Sequence, residues 1–184
     1  MKNMDNQKRI WNSVAKRLQY FGPEERSVDT EGSQWRVTLP ESYMDAERGF
    51  PDLLKDRWTL AYRDDDLLVA IPSTLYPLYL ANLRHTLCDS GTLKREVFNT
   101  LFESFRYEVS LDKRNRWRIN VQLQHHMPST NASGGYGVVF QTRDATIEIR
   151  GMARFRREVE AAQAEIRKIS AYRNTPENPR ESAG

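Results

Sequence analysis

The stretch from Tyr107 to Asn120, YEVSLDKRNRWRIN, constrains the fold more than any other part of the chain. Apolar and polar residues alternate on both sides of a short charged segment, which is the period of two half-buried strands. The segment between them contains Asp112, three cations and Asn115, and asparagine tolerates the positive φ of a tight turn. The Asp112 side chain can fold back onto backbone N–H groups of that turn. The stretch therefore predicts a β-hairpin with a basic loop.

A weaker copy of this pattern occurs in the first half of the chain. Val28 to Arg36 is followed by Val-Thr-Leu-Pro, and Arg36 corresponds to Arg116 roughly 80 residues later. Downstream, Asp66 corresponds to Asp144 at a similar separation, and each set leads into a helical pattern. The chain therefore looks like two divergent copies of one unit.

These residues resemble the bacterial MraZ family, transcriptional regulators of the division and cell-wall gene cluster. That family has an Asp-x-x-x-Arg signature in each half, usually with Gly before the Arg. Asp112 and Arg116 match it, with Asn115 in place of the Gly. In the first half Asp29 and Arg36 occupy the corresponding places, with three additional residues before Arg36. The resemblance runs from about residue 21 to about residue 166.

The resemblance implies an α+β fold, in which two SpoVT-AbrB-like swapped-hairpin halves form a tandem, pseudo-two-fold β-barrel with connecting helices and a C-terminal helix. We expect an N-terminal helical extension (1–20), a first half (21–91), a second half with the C-terminal helix (92–171) and a disordered tail (172–184). After the central turn, the alternation predicts a strand that includes Val121 and continues towards His126, followed by a flexible loop over 127–137.

The last helix has an apolar seam of near-heptad spacing. The seam consists of Phe155, Val159, Ala162, Ile166 and Ile169. Packing within the chain and contact with another subunit are both open for it, and the resemblance implies a homo-oligomer, possibly a ring.

Composition permits nucleic-acid binding without requiring it. The formal net charge is +3, and four cations lie beside one carboxylate within residues 111–118. The single cysteine, Cys88, excludes an intrachain disulfide and fits a reducing cytoplasm. No apolar run is long enough to span a bilayer, and the charged start lacks the apolar core of a signal peptide. We therefore expect a cytoplasmic, nucleoid-associated protein without membrane contact.

The sequence does not favour an enzyme. Its three histidines, His85, His125 and His126, lack the spacing of metal ligands, and neither a nucleophile elbow nor a phosphate-binding loop is present. The three adjacent carboxylates at 64–66 are typical of a solvated turn. We expect no catalytic residue, no metal and no cofactor.

The basic hairpin suggests duplex DNA as the partner. A two-stranded ribbon fits the major groove, where Arg can bond to guanine and other cations hold phosphates. We hypothesise that Arg116 and Arg36 read bases or position the loop, and that the backbone is held by Lys113, Arg114 and Arg118. Asp112 and Asp29 are motif residues with a structural role. Spacing alone favours an ion pair of Asp112 and Arg116 in a turn that binds no ligand, whereas the family resemblance favours DNA binding.

One hairpin binds DNA weakly, so useful specificity needs several copies presented together. The resemblance implies an oligomer that binds tandem promoter repeats and represses division and cell-wall genes. The alternative is a diverged, oligomeric protein-interaction module without DNA binding. DNA binding predicts that the five cations share one exposed face, whereas scattered or internally paired arginines favour the module.

Overall fold

The computed structural model describes residues 2–18, 21–30, 35–47, 49–64, 66–104, 106–124 and 137–173. The architecture is α+β, as expected, with one eight-stranded antiparallel sheet that curls into a nearly closed barrel. The strands are β1 (Glu24–Asp29), β2 (Trp35–Thr38), β3 (Trp58–Asp64), β4 (Leu67–Pro72), β5 (Arg106–Val109), β6 (Arg116–Ile119), β7 (Gly137–Arg143) and β8 (Thr146–Gly151). The helices are α1 (Lys2–Leu18), α2 (Glu41–Met44), α3 (Pro51–Leu54), α4 (Tyr76–Arg84), α5 (Arg95–Phe98), α6 (Val121–Gln124) and α7 (Met152–Arg173).

Short helical turns extend the connecting helices. A 3₁₀ turn (Ser73–Leu75) precedes α4, and π-helical turns follow α4 (His85–Asp89) and α5 (Asn99–Glu103). The connecting helices expected between the halves are therefore α4 and α5, each continued by a wider turn.

Strands that are distant in sequence lie side by side in the sheet. The order is β5-β3-β4-β8-β7-β1-β2-β6. Three neighbouring pairs, β1–β2, β3–β4 and β7–β8, are consecutive in the chain, whereas β1–β7, β2–β6, β3–β5 and β4–β8 join remote segments. The two edge strands, β5 and β6, are consecutive in the chain, but they form no ladder with each other. The predicted pairing of the two strands as a β-hairpin is therefore wrong, because β5 pairs with β3 and β6 pairs with β2. The turn between β5 and β6 brings the two edges of the sheet together.

The barrel encloses one main core. Trp58 and Trp117 are fully buried, with ring centroids 5.6 Å apart, and Phe140 lies 6.5 Å from Trp117. At one end the rings of Tyr43 and Phe50 pack at a tilt of 41°, with centroids 4.9 Å apart. Such aromatic packing removes large apolar areas from water and dominates the stability of the barrel.

Helix α1 is docked on the outside of the barrel. Its residues Val14 and Leu18 are buried, whereas Ile10 is exposed. The hydroxyl of Thr142 in β7 lies within hydrogen-bonding distance of the carbonyl oxygens of Leu18 and Phe21, at 2.9 Å for Phe21. This contact fixes the C-terminal end of the helix on the sheet.

Helix α7 is held by ion pairs only in its first turns. Arg154 contacts Asp64 at 3.1 Å and Glu158 at 2.8 Å, and Arg150 at the end of β8 contacts Glu158 at 3.0 Å. Every residue from 159 to 170 is exposed. The seam residues beyond Glu158 therefore do not pack within the chain, and that one of the two alternatives is wrong for them.

The prediction of a strand that includes Val121 and continues towards His126 is wrong for the part of it that the structure describes, which ends at Gln124. Val121 to Gln124 form the short helix α6, because the side-chain Oδ1 of Asn120 accepts the backbone N–H of Gln122 at 2.9 Å and its carbonyl accepts that of Leu123 at 2.9 Å. Several predicted features lie outside the described residues: the first-half turn at 31–34, Asp65, both His125 and His126, the loop over 127–136, and the tail from 174.

Candidate nucleic-acid interface

The central turn is rigid because one carboxylate holds its backbone. Oδ1 of Asp112 accepts the backbone N–H groups of Arg114 at 2.8 Å and Arg116 at 3.1 Å. Two backbone hydrogen bonds close the loop, from Asn115 N–H to the Asp112 carbonyl and from Asp112 N–H to the Arg116 carbonyl, each at 3.0 Å. Asn115 has a φ of 56°. Both local predictions, the positive φ and the folded-back aspartate, are confirmed.

Arg116 bridges the two aspartates of the motif. Its Nε and Nη2 lie 2.9 Å from Oδ2 of Asp112, and its Nη1 lies 3.4 Å from Oδ2 of Asp29. All three guanidinium nitrogens are thus engaged, and the side chain is only 17% exposed. The ion pair that the spacing allowed is present, and this geometry suits a residue that positions the loop.

The pKa of Asp112 lies below its ordinary value. Burial alone would raise this pKa, but hydrogen bonds from the Arg116 side chain and from the backbone N–H groups of Arg114 and Arg116 outweigh it. Asp112 is therefore anionic at neutral pH and keeps its contacts with the turn.

Arg36 and Arg118 face each other across two neighbouring strands. They are Cα partners in the β2–β6 pairing, so their side chains project from the same side of the sheet. Arg118 is exposed and makes no ion pair within the described part of the chain. Arg36 is half-buried, lies 3.9 Å from Asp29, and its Nε is buried without a hydrogen-bond partner. Two cations therefore share one surface, and Asp29, which also contacts Arg116, is the carboxylate beside Arg36.

Strand alternation separates this surface from the core. In β6 the side chains of Trp117 and Ile119 are buried, whereas Arg118 is exposed. In β2 Val37 is buried, and Thr38, the Cα partner of Arg116, is exposed. The outer face of the β2–β6 ribbon is consequently polar and basic while its inner face is apolar.

Lys113 and Arg114 extend the basic surface to the tip of the turn. Both are exposed, and neither has an ion-pair partner among the residues that the structure describes. The backbone N–H of Leu39 donates to the carbonyl of Asn115 at 3.0 Å, which ties the turn to the end of β2. The structure thus brings all five predicted cations to one ribbon and its turn, with Arg116 internally paired. We call this surface the basic ribbon: Arg36, Lys113, Arg114, Arg116 and Arg118.

Sequence analysis missed the direct pairing of β2 with β6. The matching Arg positions of the two copies were the available signal, because a two-fold arrangement of repeats places equivalent strands side by side. It also missed the link between Arg116 and Asp29, which depends on that pairing.

The described residues hold no group of three or more potential ligands placed to bind a metal ion. Two of the three adjacent carboxylates are described, and each contacts an arginine of α7: Asp64 lies 3.1 Å from Arg154, and Asp66 lies 3.7 Å from Arg157. Within the described ranges no helix combines the length and the apolar character needed to cross a bilayer.

Comparison with known proteins finds no family model that matches the chain, and no curated protein matches it. The resemblance to the MraZ family therefore rests on the residues named above.

Proposed function

We propose that the protein is a DNA-binding transcriptional regulator that uses the basic ribbon to contact duplex DNA. The observation that carries this proposal is the cross-strand pair of Arg36 and Arg118. Like charges directly opposite each other destabilise a sheet. Asp29, 3.9 Å from Arg36, also contacts Arg116, so a further anion would stabilise the pair of Arg36 and Arg118. The phosphate backbone of DNA is such an anion.

The residues of the basic ribbon have different roles in this proposal. Lys113 and Arg114 at the exposed tip and Arg118 on the strand contact phosphates or base edges, since their charged ends are free to do so. Arg116 positions the turn through its two aspartates and does not leave them. Arg36, half-buried on the same face of the sheet, contacts DNA beside Arg118.

The strand pairings support a pseudo-two-fold, swapped-hairpin interpretation of the fold. Exchanging β1–β4 with β5–β8 converts β1–β7 into β5–β3 and β3–β4 into β7–β8, and it leaves β2–β6 and β4–β8 unchanged. The pairing β1–β2 is the exception, because its equivalent, β5–β6, is not formed. Asp66 and Asp144, matched between the two copies, have φ values of 61° and 51° in equivalent turns. This interpretation is part of the proposal, as is the resemblance to MraZ regulators.

Homo-oligomerisation is the second part of the proposal. Val159, Ile166 and Ile169 are 36%, 63% and 50% exposed on α7, and a further copy of the chain would cover them. An oligomer presents several basic ribbons to tandem repeats, which raises affinity through effective concentration. We extend the proposal to promoter repeats of division and cell-wall genes on the strength of the family resemblance, with a nucleoid-associated location and repression as the outcome.

A protein-interaction module without DNA binding is the second candidate. The internal pairing of Arg116 and the exposed seam of α7 favour it. The two candidates differ in one respect, which is whether the exposed cations of the basic ribbon matter for binding.

The test is fluorescence anisotropy with the full chain on a duplex carrying the repeats upstream of its own gene, beside a shuffled duplex of equal length. Lys113→Ala and Arg118→Ala are expected to weaken binding to the repeats by roughly tenfold each. Arg95→Ala is the matched control, since Arg95 is an exposed cation outside the basic ribbon. Equal binding of all variants to both duplexes would refute the proposal and favour the interaction module.

A further inference from the structure

A cavity of about 620 Å³ lies away from the basic ribbon, between the β3–β4 and β7–β8 ends of the sheet and helices α1, α4 and α7. This volume falls in the range of roughly 300–1,000 Å³ that is typical of small-molecule sites. Trp11 of α1 and Tyr79 of α4 contribute to its wall together with charged residues of the strands and of α7. The cavity is thus both polar and large enough for a metabolite.

Most of the charged groups that line the cavity are already paired with each other. Glu148, 7% exposed, contacts Arg150, which also contacts Glu158 at 3.0 Å, and Arg154 joins Glu158 at 2.8 Å. Arg143 lies 3.9 Å from Glu148. Asp144 is exposed to solvent at the β7–β8 turn and needs no partner. The carboxylates of the wall are therefore satisfied by arginine or by water.

The groups left without partners are hydrogen-bond donors. The hydroxyl of Tyr79 and the Nε of Arg150 are buried and have no hydrogen-bond partner. Arg63 is half-buried and makes no ion pair within the described ranges. An unsatisfied buried donor costs about 1–3 kcal/mol, so the two in this cavity wall, beside the half-buried Arg63, require an explanation.

Arg63 of β3 and Tyr79 of α4 line the same cavity. The pKa of Tyr79 is raised to about 12, chiefly by burial of the hydroxyl. The positive charge of Arg63 lowers this pKa and the negative charge of Glu148 raises it, both by smaller amounts. Tyr79 therefore keeps its proton at neutral pH and is available to donate a hydrogen bond next to a cation.

From this arrangement we infer that the cavity is a binding site for a small oxyanion-bearing molecule, a carboxylate or a phosphate ester, held by Arg63 and the Tyr79 hydroxyl. An oxyanion accepts several hydrogen bonds at once and forms a charge-assisted pair with a guanidinium. The inference does not depend on DNA binding, because the cavity contains no residue of the basic ribbon.

Isothermal titration calorimetry of the full chain tests the inference, with inorganic phosphate and succinate as probes in a Tris-chloride buffer of constant ionic strength. Arg63→Gln is expected to weaken binding of the effective probe by about tenfold or more, because it removes the unpaired charge. Tyr79→Phe removes only the hydroxyl, keeps the packing of the ring, and is expected to weaken binding several-fold. Arg57→Gln is the matched control, since Arg57 is exposed and lies outside the cavity.

Binding of phosphate alone supports a phosphate ester, and binding of succinate alone supports a carboxylate. The inference is overturned when neither probe binds better than chloride, or when Tyr79→Phe and Arg63→Gln bind as tightly as Arg57→Gln. Thermal unfolding of each variant verifies that it is folded, and Tyr79→Phe provides the decisive comparison should Arg63→Gln be unstable.

Discussion

The guanidinium of Arg116 lies 3.4 Å from the carboxylate of Asp29, a residue 87 positions earlier in the chain. The same guanidinium is bonded to Asp112 in its own turn. One arginine therefore neutralises two carboxylates that come from opposite halves of the sequence. Its removal would leave both charges close together on a partly buried surface.

Arg116→Met is expected to lower the free energy of unfolding by about 1–3 kcal/mol, because it removes the partly buried cation that is bonded to Asp112 and lies 3.4 Å from Asp29. Arg118→Met, in the same strand but exposed and without an ion pair among the described residues, is expected to change this free energy by less than about 0.5 kcal/mol. Urea unfolding of both variants measures the difference. Equal stabilities would show that the ion cluster contributes nothing to the fold.

The salt dependence of DNA binding should identify the cations that bind phosphates. A variant that neutralises one phosphate fewer is expected to show a slope of log K against log salt concentration that is smaller by about 1. We expect this smaller slope for Lys113→Ala and for Arg114→Ala, whose side chains are exposed at the tip of the turn. Anisotropy titrations at several salt concentrations give the slopes. Unchanged slopes would remove these residues from the interface.

Acid should weaken the fold through Asp112. A carboxyl group with a lowered folded-state pKa stabilises the protein above its unfolded pKa, here 3.8, and this contribution is lost as the pH falls through the folded value. We expect Asp112→Asn to flatten the loss of stability below this pH. Urea unfolding in steps from about pH 5 to about pH 2.5 measures the effect.

Asp52 provides the control for this experiment. Its pKa is also lowered, chiefly by a hydrogen bond from Lys55, but the pair is fully exposed. Any contribution from Asp52 should disappear at high salt, whereas that of Asp112 should persist because its partners are partly buried. If Asp52→Asn and Asp112→Asn respond to salt in the same way, the assignment of the acid sensitivity to Asp112 is contradicted.

Asn115 should be replaceable by glycine but not by alanine. Asn115 has a φ of 56°, a conformation that costs about 1–2 kcal/mol for residues that have a Cβ atom, Asn and Asp excepted. Glycine has no Cβ atom and no such penalty. We expect Asn115→Ala to destabilise by about 1 kcal/mol and Asn115→Gly to remain within about 0.5 kcal/mol of the unaltered protein. Thermal or urea unfolding decides, and an alanine variant as stable as the glycine variant would argue against the backbone conformation.

The exposed seam of α7 should control assembly. Ile166→Glu places a charge in the proposed interface and is expected to convert the oligomer into monomers without unfolding the barrel, since Ile166 is 63% exposed. Ala164→Glu, two residues away and thus on the other side of the helix, is the matched control. Light scattering after size-exclusion chromatography measures the mass. An unchanged mass for Ile166→Glu would exclude this face as the subunit contact.

Local features of the fold could be predicted because single residues determine them. Asp112 and Asn115 indicated their turn, and the alternation around Trp117 indicated its strand. The end of that strand could also have been predicted, since Asn120 is a good cap for a short helix, yet the alternation extended through Val121 and outweighed the cap. Where two local signals compete over a few residues, periodicity alone is an insufficient guide.

The partners of the strands were beyond prediction from pattern alone. Nothing in the residues of β1 specifies that β7 is its neighbour, because that choice depends on how the whole core around Trp58 and Phe140 fills the barrel. The same holds for the cavity, whose donors Arg63 and Tyr79 come from different elements and meet only in the folded chain. Repetition in the sequence suggested equivalent strands without indicating that they interleave.

The interleaving of strands has a consequence for how the chain reaches its native state. β1 cannot pair with β7 until β7 has left the ribosome, and β4 cannot pair with β8 until β8 has been synthesised. Pairings of such high contact order make folding slow and leave edges of early strands uncovered during synthesis. Nascent chains that stop before residue 137 should therefore be the species that need chaperones, while completed chains should fold in one cooperative step.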